Sequence, residues 1–153
     1  MTTQYLDNFL RDLSVFVDRE APGFESKYGK NARSFLNLLP GVFQVLRRAS
    51  IDLELAPDVR KKTALAALYL VEAHDFLSTP SGGPHGLIDD VWVGFRTLGF
   101  AVGAAGEDRL RGHWRGAGTF DEAVALAHNV SSIEAQVPSR VLEMVKAYLD
   151  DAS

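Results

Sequence analysis

No cysteine occurs among the 153 residues of this chain, which excludes disulfides, thiol catalysis and thiolate metal sites. Long apolar runs are missing too. A membrane span needs about 18 consecutive apolar residues, and the richest stretch, 87–105, is interrupted by Asp89, Asp90 and Arg96. Positive charge is not in excess: 16 Lys and Arg face 20 Asp and Glu, a formal net charge of −4. Such a balance lacks the broad positive field of a nonspecific nucleic-acid binder, so nucleic acid is not expected as a partner. The opening MTTQYLDNFLRDL has no basic stretch before an apolar one, and no secretory signal is expected. Together these absences predict a soluble, cytoplasmic protein. Peripheral membrane contact through the apolar segments is opposed by the acids beside them.

No alternating strand pattern of useful length and no internal repeat is present; what is there is helical spacing. Leu6, Phe9, Leu10, Leu13, Phe16 and Val17 predict a helix from Thr3 to Arg19, ended by Pro22-Gly23, with a loop over 24–31. A second helix runs from Asn31 through Leu39, is kinked or broken at Pro40-Gly41, resumes at Val42 and ends in Arg47-Arg48. Ile51, Leu53 and Leu55 read as apolar anchors of the next connection. Pro57-Asp58 opens a helix whose Arg60-Lys61-Lys62 face outward, as a solvated basic stretch does. Residues 63–73, TALAALYLVEA, are apolar nearly all round, which predicts a central helix covered on most faces; Leu68→Asp should then unfold the protein.

Residues 87–105 form a second apolar helix, in which Gly94, Gly99 and Gly103 mark either close helix approach or helix ends. The segment 106–118 reads as a mobile, Gly-rich surface loop. Thr119-Phe120-Asp121-Glu122 is a capping box for a helix to about His128. Residues 131–137 fit no pattern cleanly. Pro138 then starts a last helix with Val141, Met144, Val145, Tyr148 and Leu149 on one face. The expected architecture is all-α, a compact single-domain bundle of five to seven helices over 1–153. Its N-terminal helix and loop span 1–34, its core 35–105, and its C-terminal helices 106–153.

The link between the two apolar helices, HDFLSTPSGGPHGLIDD, concentrates His74, Asp75, His85, Asp89 and Asp90. Imidazoles and carboxylates of this kind bind divalent zinc, manganese or iron, with His74, Asp75, His85 and Asp89 as candidate ligands. The spacing matches no established zinc motif. The competing reading is structural, with Asp89 or Asp90 at the start of a helix and Asp75 closing the preceding turn. A second candidate is the basic segment Arg109-Leu110-Arg111-Gly112-His113-Trp114-Arg115. Arg109, Arg111 and Arg115 suit a phosphate or carboxylate, or simply balance nearby acids on a solvated loop. His128, on an otherwise apolar helix, reads as a core histidine. No nucleophile elbow, P-loop or dinucleotide fingerprint appears.

The run from Phe35 to Ala105 resembles the YkvA-like bacterial domains of unknown function. Tyr69-Leu70 at a helix end, Asp75 in a turn and Gly86-Leu87-Ile88-Asp89-Asp90 before an apolar run carry the likeness. The chain departs from that outline at Ala73, at Ser78-Thr79 and in the added Ser81-Gly82-Gly83. The resemblance implies a helical fold and a site at the turn, without a settled activity. Two functions follow as expectations. One is an interaction or accessory module, not an enzyme and without a cofactor, that meets another protein or its own copy through the link or an apolar face. The other is a metal-binding protein or acid–base enzyme using the residues of 74–90.

Overall fold

The computed structural model describes residues 3–73 and 83–150, with the backbone alone described at 3–7, 72–73, 83–87, 148 and 150. Among the described residues there are eight helices and no strand: α1 (Thr3–Tyr28), α2 (Lys30–Ser50), α3 (Pro57–Ala73), α4 (Gly83–Ala105), α5 (Glu107–Arg111), α6 (Phe120–His128), α7 (Ser131–Glu134) and α8 (Ser139–Asp150). The all-α bundle is as expected; α5 and α7, with 5 and 4 residues, are its short extra elements.

The stop expected at Pro22 and the break expected as one alternative at Pro40 do not occur. Pro22 lies inside α1, which continues to Tyr28, and Pro40 lies inside an uninterrupted α2. A proline inside a helix costs about 3 kcal/mol, and burial on both sides of it offsets this. Phe24 is fully buried beyond Pro22, while Leu39, Val42 and Phe43 are fully buried around Pro40. The actual break between α1 and α2 is the single residue Gly29. Its φ of 96° lies in the left-handed region that only glycine enters cheaply, and its N–H donates to the Glu25 carbonyl at 2.7 Å.

Helix α4 is deeply enclosed. Val91, Trp92, Val93, Phe95, Leu98 and Ala101 are all fully buried, against α2, α3 and α6 among others. At Gly94 a methyl group would lie 3.3 Å from Leu39 Cδ1, so α2 and α4 approach closely there. The helix passes through Gly99 and Gly103 without ending.

By contrast α3 is covered on one side only. Ala66 and Leu70 are buried, while Leu65 is 39% and Leu68 41% exposed. The expectation of burial on most faces is therefore wrong for this helix, and Leu68 is the wrong residue with which to test its core. The loop before it differs as well: Leu55 is buried, but Ile51 and Leu53 are exposed. In α8, Val141, Val145 and Leu149 form the buried stripe and Met144 turns outward; the Tyr148 side chain lies outside the described residues.

One buried cation closes the bundle. Lys62 is buried, not solvated, and its ammonium donates to the Leu149 carbonyl at 2.6 Å. A cation at the last turn of α8 meets the negative end of that helix. Its Nζ also lies 3.4 Å from Asp58 Oδ1 and 4.7 Å from the Phe100 ring centre.

Candidate functional site

Of the residues singled out in the link, His74 and Asp75 lie outside the described residues, and His85 is placed by its backbone alone. Because α4 starts at Gly83, His85 belongs to its first turn and Asp89-Asp90 to its second. The two aspartates therefore do not cap the helix. Asp90 is turned into the core, and burial, with the charge of Asp89 added, holds its carboxyl well above the ordinary carboxylate range. Asp89 is half-buried; burial raises it too, against the lowering effect of Arg140. Tyr28 is raised by burial and by the Asp89 charge. Among the described residues no three His, Asp or Glu side chains are grouped to hold a metal.

The basic segment is more ordered than expected. Residues 107–111 are helix α5, with Leu110 fully buried, so 106–118 is not one surface loop. Arg109 grips Asp52 through both carboxylate oxygens, at 2.7 and 3.1 Å, and also pairs with Glu54. His113 Nε2 lies 2.9 Å from Asp52 Oδ2. The hydrogen bonds from Arg109, then His113, pull the Asp52 carboxyl well below its ordinary range. Arg111 binds Asp108 and Asp121 at 2.9 and 2.6 Å, and Arg115 donates to the Gly112 and Trp114 carbonyls.

The carboxylate suited to this segment is thus supplied by the chain itself. Spacing could not reveal it, since Asp52 and Arg109 stand 57 positions apart. Trp114 is laid against Gly41, where a Cβ would come within 2.2 Å of its Cη2; its indole N–H donates to the Gly118 carbonyl at 3.1 Å. His128 is exposed and is not a core histidine.

One open groove was missed by sequence reasoning. The exposed side of α3 and the last turns of α2 enclose a groove of about 420 Å³, lined by Phe43, Arg47, Ile51, Ala64, Leu68 and Val71 among others. Phe43 forms its fully buried floor, and Ile51, 68% exposed, stands at its lip. The available signal was the third-and-fourth spacing of Lys61, Leu65 and Leu68, which puts them on one face, but spacing does not say whether that face is covered.

No family model, curated protein or solved structure matches the chain. No helix among the described residues is long and apolar enough to cross a membrane.

Proposed function

We propose that this protein is a helical interaction module, working in the cytoplasm, that holds a partner in the groove between α2 and α3. The observation that carries this reading is the groove itself. Leu68 and Ile51 are large apolar side chains left exposed in its lining, with Ala64 and Val71 beside them, and contiguous exposed apolar surface marks interaction sites on soluble proteins. The YkvA-like resemblance belongs to the same proposal, since its span, 35–105, includes α3 and the part of α2 that lines the groove. The test places a photo-crosslinking side chain at position 68 and, as a control, at exposed position 12. A discrete adduct at 68, absent at 12 and lost on Leu65→Glu, is the expected result. Equal labelling at both positions would overturn the reading.

A second reading has one observation in its favour. Asp90 is fully buried beside Asp89, and burial raises its carboxyl well above the ordinary range, the direction in which a general acid is shifted. Under this alternative the 74–90 turn serves an acid–base enzyme or a divalent-metal site. Metal content of untagged protein, compared with His85→Ala and Asp89→Asn, tests it: stoichiometric metal lost in both variants supports it, and its absence from the wild type removes the metal form of the idea.

A further inference from the structure

On the reading that the α2–α3 groove is an interaction site, we infer that its occupant is an amphipathic helix of a partner protein, with carboxylates beside its apolar stripe. The argument starts from the charges of residues 47–62. This stretch holds three acids, Asp52, Glu54 and Asp58, and five cations, Arg47, Arg48, Arg60, Lys61 and Lys62. Every acid is already engaged: Asp52 by Arg109 and His113, Glu54 by Arg109, and Asp58 by Lys62. Arg47, Arg48, Arg60 and Lys61 are left with no carboxylate partner among the described residues. Arg47 lines the groove, and Lys61 stands one turn before Ala64 and Leu65 on the open side of α3. The groove is thus apolar along its length and cationic at one end, in a chain whose net charge is −4.

The shape selects a helix. No strand among the described residues offers an edge to an extended peptide, whereas two adjacent helices form a furrow that takes the ridge of a third. From Ala64 to Val71 the groove follows about 10 Å of α3, two turns of a docked helix. The charges argue against a second copy. A two-fold contact through this face sets each cationic end against the other end of the partner copy's groove, which is apolar. The acids of 47–62 are already engaged, so a second copy brings no carboxylate from this stretch to receive it. A membrane surface fits less well, because the apolar lining is recessed and anionic lipid repels a net negative chain.

The experiment titrates the full chain with two synthetic helical peptides that share one leucine stripe, the first flanked by Glu and the second by Lys. The Glu peptide is expected to bind about tenfold tighter or more, with the difference shrinking as salt is added. Lys61→Glu, a change at an exposed position, should narrow the preference, and Arg47→Glu with Lys61→Glu should reverse it. Equal affinity for both peptides would overturn the acidic occupant and leave the groove reading standing. If neither peptide binds, the inference fails. A dimer that Leu68→Asp dissociates would then point to a second copy, and adsorption to phosphatidylserine vesicles that Lys61→Glu abolishes would point to a membrane. Failure of all three, together with no adduct at position 68, would remove the groove reading as well.

Discussion

Two aspartates give the molecule opposite responses to pH. Arg109 and His113 lower the Asp52 carboxyl in the folded state. Its contribution to stability is therefore complete above the ordinary carboxylate value, about 4, and is lost as pH falls below it. Asp90 is raised by burial, so its contribution is present below about 4 and is lost as pH rises through the higher folded value. Denaturant midpoints across pH should show an acid limb that Asp52→Asn removes. On the other side they should show a decline that Asp90→Asn flattens. A decline unchanged in Asp90→Asn would mean that the Asp90 carboxyl is already ionised in the folded protein. Lys62 acts at the same scale, chiefly through one short hydrogen bond beside its contacts to Asp58 and the Phe100 ring. Lys62→Met keeps the buried stem and removes the donor to the Leu149 carbonyl, and a loss of about 2 kcal/mol is expected by denaturation.

At the scale of the element, α3 separates core from site within three residues. Leu70→Ala should cost about 3 kcal/mol, because that side chain is fully enclosed. Leu68→Asp should leave stability within about 0.5 kcal/mol of wild type, since it faces the open groove. The same contrast marks what the residues reveal in advance. The capping box at Thr119–Glu122 was legible because both of its hydrogen bonds, 3.1 and 3.0 Å, are local, and α6 ends at His128 as its pattern predicts. Pro22 and Pro40 misled because tertiary burial outweighs a local cost of about 3 kcal/mol. Leu68 misled because an Ala- and Leu-rich helix does not declare which face is covered. The Asp52 network and the Lys62 bond join residues 57 and 87 positions apart, beyond any local signal. The 106–118 segment is divided for the same reason. The His113 and Trp114 amides donate to the Leu110 and Arg111 carbonyls at 2.9 and 3.1 Å. They should exchange slowly, while those of 115–117 exchange fast.

Across the described residues, one core draws buried side chains from every helix, and a few tight contacts between distant segments add to it. The sharpest is the seat of Trp114 on Gly41, which ties the 112–118 turn to the middle of α2. Gly41→Ala should cost about 1–3 kcal/mol through overpacking, measured as a lowered melting midpoint. The two tryptophans also differ in surroundings. Trp92 is wholly enclosed, with no hydrogen-bond partner for its indole N–H among the described residues, while Trp114 is partly exposed and hydrogen-bonded. The protein therefore carries two built-in fluorophores with separable colours. Trp92 should emit at the blue edge and resist iodide quenching; Trp114 should emit further to the red and be quenched. A loosening of the turn from α2 would then be visible in the red component alone, before the blue one reports that the bundle has opened.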